Sequence, residues 1–278
     1  MKKKIIKSFS KRARSYDDYS FIQKNVNERL FNRLNLIKHD IKYLLEIGSG
    51  TGNLSQILCR EFPGIDIVSI DLSHEMLKEH KQKNYSARCI QTKGEAPPFK
   101  NESFDTILSS LTLHWCDLDD NLFKRYSNLL RPNGLLLFSA AGPDTFREFR
   151  KCPESIYKKL RFNNFIDMHH YGDFMLNAKL KDPVVDSEFI TLEFPSLKQL
   201  LKSLRLTGTN TTTIDHSQYL HKHEYQAIRD SLYNEVSDSF ELTYEIIFGY
   251  ALKEAKTLDK SGKLIPIKEV KKSKLEIP

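Results

Sequence analysis

One short segment, Glu46-Ile47-Gly48-Ser49-Gly50-Thr51-Gly52, constrains the fold of this 278-residue chain more than any other. It ends an apolar run at residues 43–47 and precedes a helical segment at residues 53–61. Glycine adopts backbone angles that are closed to other residues, and without a Cβ atom it lets a ligand approach the main chain. The segment therefore predicts a strand, a tight turn and a helix, with a ligand bound at the turn.

The rest of the chain continues this alternation of short apolar runs and helical segments. The apolar runs lie at residues 43–47, 65–70, 87–90, 104–108, 135–138, 184–194 and 242–252. Strands that alternate with helices predict an α/β fold with a doubly wound, mostly parallel sheet, here of seven strands. An approximately helical apolar stripe at residues 26–37 predicts an amphipathic helix before the first strand.

The length suits one large α/β domain with a full hydrophobic core. We expect a single domain over residues 1–267, with an N-terminal lid at 1–37 and a cap at 143–180, before the last strands. The cap region contains helix-rich stretches. The polar segment at 207–223 is too rich in Thr, Asn and His for a core element, and residues 268–278 are expected to form a basic tail.

Composition excludes several other classes of protein. Hydrophobic residues make up 40% of the chain and charged residues 28%, which argues against disorder and coiled coil. The longest apolar run, residues 135–141, is too short to span a bilayer, and no apolar stretch follows the basic residues at the start, so no membrane or secretory route is expected. The cysteines form no CxxC pair, so we expect reduced thiols in a cytoplasm. The net charge of +7 is typical either of solvated basic ends or of a chain that attracts an acidic partner.

The spacing of the glycines indicates which ligand the turn binds. A dinucleotide fingerprint, G-x-G-x-x-G, fails because its last position falls on Asn53 or Ser55. The pattern acid-x-Gly-x-Gly-x-Gly instead resembles the turn of S-adenosylmethionine-dependent methyltransferases with a Rossmann-like fold. Asp71 closes the next apolar run, where an acid accepts hydrogen bonds from ribose hydroxyls. Asp71 could also cap the helix that follows, as could Ser73.

Two glutamates are further candidates for cofactor binding. Glu46 would be costly to bury without a partner, so we expect it to stay near water and to orient the amino-acid moiety of the cofactor. Glu95 follows the third strand, where adenine contacts are made in this class, although a solvent-facing loop glutamate is an equal alternative. The expected cofactor-binding residues are Glu46, Gly48, Gly50, Gly52, Asp71, Leu72, Gly94, Glu95 and Ser110.

Longer motifs resemble one family. Residues 104–116, FDTILSSLTLHWC, resemble the motif FD-L--SNLALQWC of the malonyl-acyl-carrier-protein O-methyltransferase family of biotin synthesis. Further matches to that family's motifs lie at residues 9–16, 142–150, 165–169, 201–210 and 242–251. The resemblance therefore covers about residues 9–253. The chain departs from the family at Lys93, where many members have Asp, and at Ser110 and His114, where they have Asn or Gln.

The resemblance implies a class I methyltransferase that moves the methyl group of S-adenosylmethionine to the free carboxylate of a malonyl thioester, with acyl carrier protein as partner. A carboxylate has a pKa of about 4 and is already a nucleophile at neutral pH, so we expect no general base. A histidine next to a tryptophan at a strand end is more typical of a structural pair, so catalysis by His114 is not expected. His169 and His170 lack further ligands at metal spacing, and no metal is expected.

The substrate carboxylate should be held by a cation, and a planar guanidinium does so with two hydrogen bonds. Arg150 matches the arginine of the family's GPDTL-ELR motif, and Arg205 stands where many relatives carry Lys. Surface ion pairs are the alternative for both. Tyr16 matches the tyrosine of the N-terminal lid and is expected to position substrate or to close over the cofactor, with simple packing as the alternative.

Three other functions compete with this hypothesis. Assembly factors of respiratory complex I resemble the same family but hydroxylate a protein arginine. The chain could also methylate another small acid, or it could be a non-catalytic cofactor-binding scaffold, against which the intact turn and Asp71 argue. We expect no nucleic-acid or membrane partner, and we favour a monomer.

Overall fold

The computed structural model describes residues 2–83, 86–160, 165–206 and 221–255. The expected basic tail at 268–278, the domain end at 267 and most of the polar segment at 207–223 lie outside these ranges. Within them, one sheet has eight strands: β1 Tyr43–Ile47, β2 Asp66–Asp71, β3 Arg88–Gln91, β4 Phe104–Ser109, β5 Leu130–Ala141, β6 Leu180–Phe194, β7 Tyr233–Asn234 and β8 Ser239–Lys253.

The strand order is β3-β2-β1-β4-β5-β8-β6, and the two-residue β7 pairs with β8 beside this path. β1 pairs in parallel with both β2 and β4, whereas β8 is antiparallel to β5 and to β6. The predicted seven-stranded, mostly parallel sheet is therefore confirmed, with β7 as an addition. The chain order reverses between β1 and β4, and in open α/β sheets ligands bind in the crevice beyond the carboxyl ends of the strands at such a point.

The described helices are α1 Lys2–Arg12, α2 Tyr16–Tyr19, α3 Phe21–Leu36, α4 Asn53–Glu61, α5 His74–Gln82, α6 Asp120–Leu129, α7 Glu154–Leu160, α8 Met168–Asn177, α9 Leu197–Leu206 and α10 Lys222–Leu232. Three 3-10 turns lie at Ala13–Ser15, Leu113–Trp115 and Arg147–Lys151. Helix α5 begins at His74 because Ser73 caps it, with its Oγ accepting the N–H of Met76 at 3.3 Å.

The sheet is covered on both faces. One cluster of buried side chains joins α3, α4, α9 and α10 to the sheet through residues such as Leu30, Leu58 and Leu200. The opposite cluster contains α6 and α8, where Phe123 and Tyr171 are fully buried. In the central strands, neighbouring residues alternate between the two clusters, as Leu44 and Leu45 of β1 and Leu136 and Leu137 of β5 do.

The region expected to cap the sheet, residues 143–180, contains helices α7 and α8. Helix α8 packs against a face of the sheet through Tyr171 and Met175, as an ordinary flanking helix does. Helices α9 and α10 lie between β6 and β8 and were not predicted from the sequence. The division into a lid at 1–37 and a cap at 143–180 stays a prediction.

Candidate active site

The glycine turn folds back onto the end of β2. The N–H groups of Gly48 and Ser49 both donate to the carbonyl oxygen of Ile70, at 2.8 and 3.0 Å. Gly48 has φ +72°, in the left-handed region that favours glycine, and a Cβ there would lie 2.1 Å from Thr112 Oγ1. Gly48 is therefore required both by the backbone angle and by the close approach of the chain after β4.

Gly50, at the tip of the turn, has a different environment. Its φ is +54°, yet a Cβ atom built there would meet nothing within 4 Å. The Cα atom of Gly50 therefore faces open space, and a ligand can approach the main chain at this point. Gly52 is the N-cap residue before helix α4 and has φ +82°, and a Cβ there would lie 2.4 Å from the ring of His80.

Asp71 is the last residue of β2, lines the pocket and forms a hydrogen bond with the glycine turn. Its Oδ2 accepts the N–H of Gly50 at 2.9 Å, and its Oδ1 accepts the N–H of Ser73 at 2.7 Å. Burial raises the pKa of Asp71, and these two backbone hydrogen bonds oppose that change. A carboxylate has about four lone-pair sites, so acceptor capacity remains for hydroxyl groups of a ligand.

Glu46 lies beneath the turn, and the expectation that it stays near water is wrong. Its side chain is buried, and its Oε2 accepts hydrogen bonds from the hydroxyls of Ser55 and, at 2.7 Å, Ser69. Burial raises the pKa of Glu46 to about 7, although both hydroxyls act in the opposite direction. Hydroxyl side chains on α4 and β2 thus supply the partners, which the local sequence did not show.

One pocket collects most of the residues expected to bind the cofactor. Its walls include Glu46, Gly48, Gly50, Asp71, Leu72, Gly94, Glu95 and Ser110. Gly52 is not among the lining residues and instead lies against the ring of His80. The space between the walls, including the open mouth, is about 1410 Å³.

After β3, two hydrogen bonds hold the loop that carries Gly94 and Glu95. The hydroxyl of Tyr126 donates to the carbonyl oxygen of Gly94 at 3.1 Å, and Glu95 Oε1 accepts the N–H of Asp117 at 3.3 Å. The loop is therefore tied to the segment after β4. Across the pocket, Ser110 Oγ lies 3.3 Å from Ser139 Oγ.

The N-terminal segment lies over the glycine turn and is held there by Asp17. Its Oδ1 accepts the hydroxyl of Thr51 at 2.6 Å and the side-chain amide of Asn53 at 2.9 Å, and Lys83 Nζ lies 2.8 Å from Oδ2. Burial tends to raise the pKa of Asp17, but the hydrogen bonds from Lys83, Thr51 and Asn53 outweigh it and hold the pKa below its ordinary value. The sequence alone did not single out Asp17.

Phe9 and Tyr16 bring this segment into the pocket. The ring of Phe9 lies 5.7 Å from that of Trp115 and 6.3 Å from that of Tyr16, both in edge-to-face arrangements. Burial, followed by the negative charges of Asp71 and Asp17, raises the pKa of Tyr16, so its phenol stays protonated and can donate.

The structure places neither Arg150 nor Arg205 in the walls of this pocket, so it does not support the expected carboxylate clamp. Arg150 lies in the 3-10 turn Arg147–Lys151, which directs its Nη1 to Asp144 at 2.6 Å. Arg205 is exposed on α9. Among the residues that the structure describes, the pocket walls contain no Lys or Arg.

Neutral and aromatic side chains form the far wall instead. The walls there include Thr112, His114, Trp115, Thr145, Phe146, Phe165 and Tyr244. Thr145 and Phe146 belong to the loop after β5, and Glu245 on β8 holds that loop by accepting the N–H of Asp144 at 2.7 Å. The contribution of Tyr244 depends on the fold, since it lies about a hundred residues further along the chain.

No group of three or more His, Cys, Asp or Glu side chains in the described part of the chain could hold a metal ion. Within the same part, no helix has both the length and the apolar character needed to cross a membrane.

Comparison with known proteins assigns the class. A family model described as "Methyltransferase domain" matches residues 45–138, from β1 to β5. A putative methyltransferase from Bacillus halodurans superposes with a TM-score of 0.59 at 14% identity, covering 81% of this chain and 99% of the other. Phosphoethanolamine N-methyltransferase 2 of Haemonchus contortus, solved with S-adenosyl-L-methionine, gives 0.55 at 20% identity, covering 83% and 52%. With its glycine turn and sheet order, the chain is a class I, Rossmann-like methyltransferase that uses S-adenosylmethionine.

Relatives matched over nearly the whole chain define the family. A malonyl-[acyl-carrier protein] O-methyltransferase of Gallionella capsiferriformans is 31% identical, covering 95% of this chain and 95% of the other. The protein of that name from Legionella pneumophila is 29% identical, covering 96% and 97%. This chain belongs to the malonyl-[acyl-carrier protein] O-methyltransferase family.

Proposed function

We propose that this enzyme transfers the methyl group of S-adenosylmethionine to the free carboxylate of malonyl-acyl carrier protein, an early step of biotin synthesis, in the cytoplasm. The observation that carries the proposal is the similarity to relatives of that name along 95% of the chain, which includes the late helices as well as the cofactor turn. The relatives do not favour protein arginine hydroxylation.

The pocket suits a reaction that needs orientation more than proton transfer. A carboxylate with a pKa of about 4 carries its nucleophilic charge at neutral pH. Catalysis then requires the carboxylate oxygen and the methyl carbon to be held in line, with water excluded. Phe9, Trp115 and Phe146 supply apolar walls for such exclusion.

The cofactor roles follow from the geometry of the turn. We assign the ribose hydroxyls to Asp71 and the amino-acid moiety to the open main chain at Gly50. Leu72 and Glu95 line the side of the pocket where the adenine would lie, and Tyr16 would close over the cofactor as part of an N-terminal lid.

A basic surface supports an acidic carrier protein as partner. The exposed basic side chains of this surface are Lys7 and Lys11 on α1, Arg14 in the following turn, and Lys198, Lys202 and Arg205 on α9. Lys202 Nζ lies 5.3 Å from the ring centroid of Tyr19 on α2, which brings α9 next to the N-terminal segment. Burial, followed by the positive charge of Arg205, lowers the pKa of Arg12 on α1. Opposite charges on a carrier protein would steer its encounter with this surface.

The test is methyl transfer by the purified enzyme to malonyl groups carried on acyl carrier protein and on coenzyme A. We expect S-adenosylhomocysteine and the malonyl methyl ester to form in equal amounts, as measured by mass spectrometry. Acetyl-acyl carrier protein, which has no free carboxylate, is the matched control and should not react. Absence of transfer to both malonyl thioesters, by protein that binds S-adenosylmethionine, would refute the proposed substrate.

A further inference from the structure

A substrate carboxylate needs hydrogen-bond donors, and the described walls of the pocket offer neutral ones. The two candidate arginines lie elsewhere, and the described walls contain no Lys or Arg. A bound carboxylate that is to remain nucleophilic must keep its charge. Neutral donors satisfy its lone pairs without pairing it with a full positive charge, so we expect the recognition group among the neutral N–H and O–H groups of the far wall.

His114 is held there in one tautomer. The N–H of Ala141 donates to His114 Nδ1 at 3.3 Å. Since a backbone N–H can only donate, Nδ1 carries the lone pair, and the proton of the neutral ring is on Nε2. Burial lowers the pKa of His114 to about 3, which keeps the ring neutral at the pH of the cell.

The ring is also fixed in orientation. Its centroid lies 5.1 Å from the ring of Trp115 and 5.6 Å from that of Phe165, the latter edge to face. His114 lines the pocket together with both aromatic neighbours. Packing on these rings and the hydrogen bond from Ala141 leave the Nε2–H group as the polar atom available to a ligand.

We propose that His114 donates its Nε2–H hydrogen bond to the carboxylate of the malonyl group and so selects and orients this nucleophile. The proposal rests on the proposed function. In this role the imidazole is a neutral donor and not a base, because the nitrogen that could accept a proton is directed at Ala141. No proton moves in the transfer: the carboxylate oxygen forms the bond to the methyl carbon, and the electron pair of the broken carbon–sulfur bond stays on sulfur.

Two variants distinguish the hydrogen bond that His114 would donate from the packing of its ring. His114→Gln keeps an amide oxygen that can accept the Ala141 N–H and an amide N–H that can donate to the substrate. His114→Phe keeps an aromatic ring beside Trp115 and Phe165 but has no donor. We expect His114→Phe to lower kcat/KM for malonyl-acyl carrier protein about 10- to 100-fold, the effect of losing one hydrogen bond to a charged group, and His114→Gln to stay within about 5-fold of the wild type.

Two further measurements show whether the effect is on substrate recognition. The dissociation constant of S-adenosylmethionine, from calorimetry, should change less than about 3-fold in either variant, since His114 is assigned to the substrate. A ¹⁵N-histidine spectrum at pH 7, assigned by the signal that disappears in His114→Gln, should show a neutral ring protonated at Nε2.

An Nδ1–H or doubly protonated ring would overturn the proposal, as would normal kcat/KM in folded His114→Phe protein or equal losses in both variants. These results differ from failure of the proposed function, in which the wild-type enzyme itself would not methylate any malonyl thioester.

Discussion

Asp17 is predicted to hold the N-terminal segment onto the cofactor turn, and replacing it with Asn should loosen that segment. The variant loses the charge that faces Lys83 at 2.8 Å and places an amide group in the same position. One oxygen remains to accept from Thr51 and Asn53. The side chains of Asp17 and Lys83 are 32% and 24% exposed, so their interaction is only partly screened by water.

The expected loss is about 1–3 kcal/mol of unfolding free energy. A hydrogen bond to a charged group contributes about 1.5–3 kcal/mol, and a partly exposed ion pair up to about 1 kcal/mol, but Asn retains part of the first. Urea unfolding of the wild type, Asp17→Asn, Lys83→Met and the double variant gives both the total effect and the coupling between the two side chains. We expect a coupling of about 0.5–1 kcal/mol.

The same interaction gives a defined pH dependence. The folded-state pKa of Asp17 lies below its ordinary value, so its contribution is fully present above the ordinary pKa of about 4 and is lost as pH falls through the lowered value. The difference between wild type and Asp17→Asn should therefore be constant from about pH 5 to 8 and shrink below about pH 4. Glu46 titrates in both proteins and cancels in the difference. Additive single variants, or a difference that grows in acid, would refute the reasoning.

Three further predictions follow from the site. Asp71→Ala should weaken S-adenosylmethionine binding by about 1–3 kcal/mol. Gly50→Val should also weaken it, because a side chain would fill the open space at the turn. Unchanged affinity in calorimetry for both folded variants would contradict the cofactor assignment. Lys202→Glu should raise KM for malonyl-acyl carrier protein and make that KM rise less with salt, whereas KM for malonyl-coenzyme A should change little. The control is Lys124→Glu, on the opposite face of the sheet. Equal effects on both carriers would count against the basic surface. Arg150→Ala should leave kcat/KM within about 3-fold of the wild type, because Arg150 pairs with Asp144 outside the pocket; a loss of 30-fold or more would restore it as a substrate clamp.

The alternation of strands and helices along the chain and the cofactor turn could be predicted from the sequence because they depend on local patterns. The run before Gly48 is apolar over a strand's length, and the glycines allow the left-handed angles that the turn adopts at Gly48, Gly50 and Gly52. The position of Asp71 at a strand end was predicted for the same reason, because it depends on residues that are adjacent in the sequence. Motifs spread from residue 9 to residue 253 identified the family, which the relatives confirm.

Other features depended on which segments meet in space. Glu46 was expected near water, but Ser55 and Ser69, on different elements, provide partners for its carboxylate in the interior. Arg150 was expected to hold the substrate carboxylate, but a 3-10 turn directs it to Asp144.

The tautomer of His114 is set by the N–H of Ala141, which belongs to the neighbouring strand and is not visible in the motif around the histidine. Residue types and spacing thus determine the elements and the kind of cofactor. The ionisation state and partner of each buried polar group were decided only by tertiary packing, because desolvation and hydrogen bonding act through distances between atoms that the sequence leaves far apart.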